Sequence, residues 1–274
     1  MNTTELMQLS LEMAKMTQIP ADSTIYHPGE NINKAIIGID MGAPELLLAR
    51  ELGYDGVIAH HPIGDRARLD FAGVLWTHLD QMLAHGVPEA VARRIVEEKA
   101  NTAQMAMHAA NYDHTPSIAR LIDMPYLNIH LPLDEIGRVK MVASVNKLTP
   151  DAPVGDLIDT FKADMPEFRL ALTEFQVRVG APDNPIGKVA ISHAAGTNGG
   201  YPIAKAYFDH GVDTVLYIHC SPQDTEKIKA EYEGTGKNLV ISCHIASDAV
   251  GINLYADALE QCVLEVTRIS GVLQ

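Results

Sequence analysis

The stretch that decides the fold is residues 56–62, Gly-Val-Ile-Ala-His-His-Pro, in which a short apolar run passes directly into two histidines and a proline. An apolar run of this length is typical of a strand that is buried on both faces of a sheet. A similar run, residues 35–40, lies upstream, and an apolar helix from Pro44 to Leu52 separates the two. This β-α-β order predicts parallel strands joined by a right-handed crossover, and therefore an α/β fold.

Two domains are predicted from the elements that follow. Residues 69–123 have helical periodicity and are expected to form a helical insertion. Further strands are predicted at residues 125–130, 139–145, 187–192, 214–219 and 238–244. A chain of 274 residues is long enough for two domains of ordinary size. We therefore expect two α/β domains of similar organisation: residues 1–136 with 238–274, which carry the insertion, and residues 137–237.

The composition argues against several classes of partner. Lys and Arg number 21 against 35 Asp and Glu, a net charge of -14 at pH 7, so the surface is expected to repel nucleic acids and anionic membranes. Three cysteines without paired spacing fit reduced thiols in the cytoplasm better than disulfides. No stretch reaches the roughly 18 apolar residues of a membrane helix, and no secretory signal is recognisable. The sequence predicts a soluble cytoplasmic protein without nucleic-acid or membrane partners.

Histidine and aspartate residues follow several of the predicted strands. In open α/β sheets, ligands bind beyond the carboxyl ends of strands, and imidazole and carboxylate groups suit first-row transition metals. The residues in such positions are Asp40, His60, His61, His130, His193, His219 and His244. This pattern indicates a metal site.

His60-His61-Pro62 is the most distinctive local motif. Adjacent residues that leave a strand point in different directions, so the two histidines can serve two metal ions. Pro62 restricts its own φ and the conformation of His61, which holds the imidazoles in place. Alone, the motif is also compatible with two solvated histidines at a strand end.

Carboxylates are expected to complete the site. His244 and Asp248 are spaced i and i+4 at the start of a predicted helix, which places them on one face, although Asp248 could instead only complement the helix N-terminus. Two neighbouring cations also need a bridging oxygen ligand. The candidates are Asp134, four residues after His130, and Asp113 in the insertion; we favour Asp134.

Together these motifs resemble the Nif-three-like family of dinuclear-metal proteins, some of which are named as GTP cyclohydrolase type 2 homologues. Family members carry a GVD strand end, a strand ending in HHP, a strand followed by HTNLD and, near the C-terminus, GHxxTE. The corresponding segments are Gly38–Asp40, His60–Pro62, His130–Asp134 and Cys243–Asp248. The resemblance implies that the metal ligands are His60, His61, Asp134, His244 and Asp248.

Three differences from the family pattern indicate a divergent subgroup. Asp248 replaces the usual glutamate, which shortens its reach toward two ions by one methylene. Residues 193–200 match the glycine-rich CGGAG loop only loosely, and residues 217–220, Tyr-Ile-His-Cys, replace the TGE segment. We expect the metal site in the cleft between the two domains, and the resemblance implies a ring-shaped homohexamer.

The predicted function is that of a dinuclear metal-dependent hydrolase acting on a small molecule, and the resemblance implies GTP cyclohydrolase-like ring opening or phosphoester cleavage. Two divalent ions (Zn, Mn, Fe, Co or Ni) would activate water. His130 and His193 are the catalytic candidates. His130 could be a proton shuttle or substrate contact, because imidazole titrates near neutral pH, and His193 could contact an anion through the small-residue loop. Alternatively, His130 only orients Asp134 and His193 only belongs to a tight turn. The alternative function is a non-catalytic metal-binding scaffold or regulatory interaction protein.

Overall fold

The computed structural model describes residues 1–272 and has two β-sheets whose strands alternate with helices. The strands are β1 (Thr24–His27), β2 (Lys34–Gly38), β3 (Gly56–Ala59), β4 (Tyr126–Asn128), β5 (Gln176–Val179), β6 (Val189–Ser192), β7 (Thr214–Tyr217), β8 (Asn238–Ile241) and β9 (Glu265–Ile269). The helices are α1 (Thr3–Ala14), α2 (Ala43–Glu51), α3 (Asp65–Leu69), α4 (Thr77–Ala84), α5 (Glu89–His108), α6 (His114–Leu121), α7 (Leu131–Val145), α8 (Val154–Asp164), α9 (Glu167–Leu170), α10 (Gly200–Asp209), α11 (Pro222–Tyr232) and α12 (His244–Gln261), with a 3₁₀ helix at Phe71–Trp76.

The described residues form two compact units, each with one sheet. The first unit comprises Met1–Val74, Asn101–Gly137 and the chain from Asp248 onward, and the second comprises Leu75–Ala100 and Arg138–Ser247. Helices accompany both sheets, which confirms the predicted α/β class with two domains. Part of the predicted helical insertion, Leu75–Ala100, groups with the second unit.

The sheet of the first unit has the strand order β1-β4-β3-β2-β9, and every pair is parallel except β1 with β4. Successive residues of its central strands enter different hydrophobic clusters: Ile37 and Ile58 belong to one, and Ile36 and Val57 to another. Since side chains alternate between the faces of a strand, both faces of this sheet are covered. The apolar runs therefore predicted these strands correctly.

The sheet of the second unit follows the same plan. Its order is β5-β8-β7-β6, with an antiparallel edge strand, β5, and three parallel strands. Val215, Leu216 and Leu239 in the parallel strands are fully buried. Both units thus combine a buried parallel sheet with one antiparallel edge strand, as the predicted similarity of organisation requires.

One of the predicted elements differs in the structure. Residues 139–145 were predicted as a strand, and this is wrong because they form the second half of α7. Val139, Val142 and Val145 are three residues apart, a helical spacing, and Val139 is 55% exposed. The helix predicted to start near His244 and Asp248 spans His244–Gln261. Among residues 1–272, no helix combines the length and apolar character needed to cross a membrane.

Candidate metal centre

His60 and His61 lie just beyond the carboxyl end of β3. Their backbone amides donate to the carbonyl oxygens of Gly38 and Ile39, at 2.9 and 3.0 Å. These hydrogen bonds continue the pairing of β3 with the neighbouring strand β2 past the last residue of β3. They therefore hold both histidines at the edge of the sheet. The HHP motif is therefore fixed by backbone pairing as well as by Pro62.

His130 and Asp134 come from the next strand of the sheet and the helix after it. β4 ends at Asn128, His130 follows one residue later, and α7 starts at Leu131. The amide of Asp134 donates to the carbonyl oxygen of His130 at 3.1 Å. One helical turn therefore separates the two residues, and their side chains share a face.

Asp248 is brought to the same place by close packing of α12 on α7. Gly251, on the same face of α12 as Asp248, lies so near Leu133 that a Cβ atom at Gly251 would be 1.9 Å from the Leu133 carbonyl oxygen. Only glycine permits this approach of the two backbones. Asp134 is the neighbour of Leu133, so the contact draws the two carboxylates toward each other.

Five of the predicted site residues converge within the first unit. One ligand atom from each of His60, His61 and His130 lies within 4.8 Å of the others, and the same holds for His60, Asp134 and Asp248. His60 Nε2 is 3.2 Å from Asp134 Oδ1 and 3.8 Å from Asp248 Oδ2. His61 Nε2 is 3.5 Å from the same Asp248 oxygen. Asp248 thus reaches both histidines of the HHP motif.

All three imidazoles are oriented in the same way. In each ring, Nδ1 contacts an oxygen acceptor and therefore carries a proton, so Nε2 is the nitrogen that binds a metal once it is deprotonated. The pairs are His60 with the carbonyl oxygen of Ile129 at 3.0 Å, His61 with Asp40 Oδ1 at 2.8 Å, and His130 with Asp22 Oδ2 at 2.6 Å.

The centre is buried and rich in negative charge. His60 is fully buried, and Asp134 and Asp248 are 4% and 1% exposed. Burial lowers the pKa of His60 and outweighs the opposing effect of Asp134, so this ring is neutral at pH 7. Burial also acts to lower the pKa of His130, but Asp134 and Asp22 outweigh it and raise the pKa to about 9. For His61, hydrogen bonds to Asp248 and Asp40 overcome burial and raise the pKa. The carboxylates therefore favour the protonated, positively charged forms of His130 and His61.

The residues fit a transition-metal site. Neutral imidazole and carboxylate are its usual ligands. Among residues 1–272, His60 Nε2 is buried without a hydrogen-bond partner of good geometry, and buried polar atoms are normally satisfied. Ligand atoms around one ion at about 2 Å lie up to roughly 4 Å apart, so the observed groups need only small side-chain movements to bind one.

The remaining predicted residues are His244, His193 and Asp113. His244 begins α12 and precedes Asp248 by one helical turn, as the i, i+4 spacing predicts. His193 follows β6 in the second unit, where it is 2% exposed and its carbonyl oxygen accepts a hydrogen bond from Gln81 Nε2. Asp113 is half exposed and pairs with Arg120. The structure thus gathers Asp134, and not Asp113, with the HHP histidines.

Two further residues were not predicted to take part. The sequence places Asp40 only at the end of a strand, yet its carboxylate contacts His61 Nδ1. Asp22 was not singled out at all, although it is fully buried and holds His130. It lies in the loop before β1, and a lone aspartate there carries no recognisable sequence signal.

Fold and site together define an α/β protein with clustered residues that could hold a metal ion. A solved structure described as a NIF3 superfamily protein from Sphaerobacter thermophilus is 50% identical, over 99% of this chain and 98% of that chain, with a TM-score of 0.95. The chain therefore belongs to the NIF3 superfamily, which confirms the resemblance seen in its motifs.

More distant solved structures share the fold. Protein ybgI, described as of unknown function, is 18% identical over 98% of both chains, with a TM-score of 0.58. A Bacillus cereus protein related to NIF3 is 12% identical over 100% of this chain and 97% of that chain, with a TM-score of 0.51. Neither a protein-family model nor a curated protein matches the sequence.

Proposed function

We propose that the protein is a dinuclear metal-dependent hydrolase that acts on a small molecule, by GTP cyclohydrolase-like ring opening or phosphoester cleavage. Its metal ligands are His60, His61, Asp134, His244 and Asp248. Two divalent ions of the series Zn, Mn, Fe, Co and Ni would supply an activated water and polarise the substrate.

The observation that supports this proposal most directly is the common orientation of the imidazoles. His60 and His61 each have Nδ1 against an oxygen acceptor and Nε2 against the carboxylate of Asp248. Ring orientation by such outer acceptors is the usual arrangement around a protein-bound metal. A merely solvated histidine pair at a strand end would not need it.

The residues of the site would have two roles: they would bind the metal ions and balance the charge of those ions. His60 is kept neutral by burial, so it can donate its lone pair without first losing a proton. Asp134 and Asp248, which are themselves almost fully buried, would offset the charge of two cations. Asp248 contacts both HHP histidines and so lies where a ligand shared by two ions would lie.

The test combines elemental analysis with a substrate screen of nucleotides and phosphoesters. The wild-type protein is expected to contain about two metal ions per chain, as a two-ion site requires, and to hydrolyse at least one substrate. His60→Ala is expected to lose both properties, whereas the matched variant His108→Ala, at an exposed position at the end of α5, keeps them. Metal-free wild-type protein, or equal metal content in His60→Ala, would contradict the proposed centre.

The same variants separate an enzyme from a scaffold. An enzyme loses turnover in His61→Ala, whereas a scaffold loses chiefly thermal stability, because its metal contributes to folding. Retained metal with no hydrolysis across the screen, together with a large fall in the melting temperature of His61→Ala, would favour the scaffold over the hydrolase.

A further inference from the structure

We infer that His130 is an additional metal ligand of this centre and that the buried carboxylate of Asp22 is the positioning residue that keeps it one. The inference rests on the proposed function only in that the centre binds metal. It differs from the sequence-based expectation, in which His130 carries protons or orients Asp134.

The first support is the place of the His130 ring. Its centroid is 4.7 Å from that of His60 and 5.7 Å from that of His61. Its Nε2 lies 3.8 Å from Asp134 Oδ2, and a ligand atom of His130 belongs to the same close group as those of the HHP histidines. His130 therefore points its Nε2 atom toward the centre, as His60 and His61 do.

The second support is the way in which Asp22 and its neighbour hold this residue. Asp22 is fully buried, and its Oδ2 accepts from His130 Nδ1 at 2.6 Å. Ser23 Oγ accepts from the backbone amide of His130 at 2.9 Å, and Asn128 Nδ2 donates to the carbonyl oxygen of Asp22 at 2.7 Å. Both the side chain and the backbone of His130 are thus fixed. Burial of the Asp22 carboxylate is costly unless the carboxylate has a charged or polar partner, and His130 is that partner.

Both oxygens of Asp22 act as acceptors. Oδ2 accepts from His130, and Oδ1 accepts from the Leu131 amide at 3.4 Å and from Ser23 Oγ at 3.3 Å. An asparagine has one acceptor oxygen and one amide donor. If the amide faced His130, Nδ1 would have to accept, and the ring proton would move to Nε2, where it blocks metal binding. If the amide faced Leu131, two donors would meet. Asp22→Asn therefore disturbs the pair without changing its size.

The experiment is a titration of metal-free protein with Co²⁺, followed by visible absorption and by competition with a chelator. Because loss of an outer carboxylate typically weakens metal binding 10- to 100-fold, Asp22→Asn and His130→Ala are each expected to weaken at least one of the two Co²⁺ ions by about that factor and to change the absorption bands. The matched control is Asp123→Asn, which alters an exposed Asp–His pair with His27 in the same unit, at 2.9 Å, and should leave both ions and the spectrum unchanged.

The outcomes distinguish the two proposals. If the wild-type protein binds no Co²⁺, the proposed function fails as well. If it binds two ions and His130→Ala binds them with the same affinity and spectrum, only the present inference is overturned. His130→Gln serves as a second variant if His130→Ala does not fold, and circular dichroism of the metal-free proteins checks this. A purely structural Asp22 would lower the melting temperature of Asp22→Asn but leave its Co²⁺ spectrum that of the wild type, which would also overturn the inference.

Discussion

The carboxylate of Asp248 reaches the imidazole of His61, with 3.5 Å between Oδ2 and Nε2. Its side chain is one methylene shorter than the glutamate expected from the family pattern. Asp248 lies on the same face of α12 as Gly251, where this helix closely approaches α7 at Leu133.

We expect Asp248→Asn to weaken metal binding about 10-fold or more, because a charged ligand is lost. A metal that binds only the folded state stabilises it by RT ln(1 + [L]/Kd), about 2.7 kcal/mol at 100 times Kd. At that zinc concentration a 10-fold weaker Kd leaves about 1.4 kcal/mol. Chemical denaturation with and without zinc measures the difference. Asp257→Asn, on the exposed side of the same helix where it pairs with Arg268, should retain the full zinc effect; an equal effect in both variants would contradict the role of Asp248.

Gly251→Ala tests the helix contact itself. The added Cβ would meet backbone atoms of Leu133 and Gly137, at 1.9 to 3.0 Å, so α12 must move away from α7. Overpacking of this kind costs about 1–3 kcal/mol, and the displaced Asp248 should bind zinc less tightly. The matched control is Gly155→Ala in α8, where the nearest contact would be an ordinary 3.6 Å, and which should leave the stability unchanged or slightly higher. Denaturation and zinc titration of both variants provide the measurement; unchanged zinc affinity in Gly251→Ala would show that the contact does not position the site.

The choice between Asp134 and Asp113 can be tested by a pair of equal substitutions. Asp134→Asn should lose bound metal, since this residue lies 3.2 Å from His60 Nε2. Asp113→Asn should retain it, because Asp113 is exposed and pairs with Arg120, and loss of a surface ion pair costs at most about 1 kcal/mol. Elemental analysis of the two purified proteins gives the answer. Metal loss in Asp113→Asn alone would reverse the assignment.

The parallel strands and the ligands that follow them were predictable from the sequence, because both depend on local patterns. Buried parallel strands appear as continuous apolar runs, and β2, β3, β6, β7 and β8 were found in this way. His60 and His61 follow such a run directly. The i, i+4 spacing of His244 with Asp248 likewise needs only the helix to which both residues belong.

The remaining features depend on contacts that no local pattern records. Edge strands β1 and β9 are only partly buried, so their hydrophobic pattern is weak. The valines of α7 favoured a strand by propensity, but their three-residue spacing and the exposure of Val139 belong to a helix. Asp22 meets His130 across more than one hundred residues of chain, and Gly251 meets Leu133 through a close backbone approach. Such partners become visible only when the chain is folded.

One buried histidine of the second unit has a strongly lowered pKa. His78, in α4, is fully buried, and its Nε2 lies 3.4 Å from Thr197 Oγ1. Burial lowers its pKa to about 3, and the charge of Lys99 acts in the same direction. In the unfolded chain the pKa of histidine is about 6.5. The unfolded state therefore binds a proton in a pH range where the folded state does not.

His78 should accordingly make the protein sensitive to mild acid. Its contribution to the free energy of unfolding is complete above pH 7 and falls as the pH drops below about 6.5, with a limiting slope of about 1.4 kcal/mol per pH unit until the folded-state pKa near 3 is reached. Between pH 7.5 and pH 5 this amounts to about 2 kcal/mol. Urea denaturation across that range should show a shallower pH dependence for His78→Gln than for the wild type. His108→Gln, at an exposed position, should keep the wild-type slope, and an unchanged slope in His78→Gln would show that His78 accepts a proton in the folded protein.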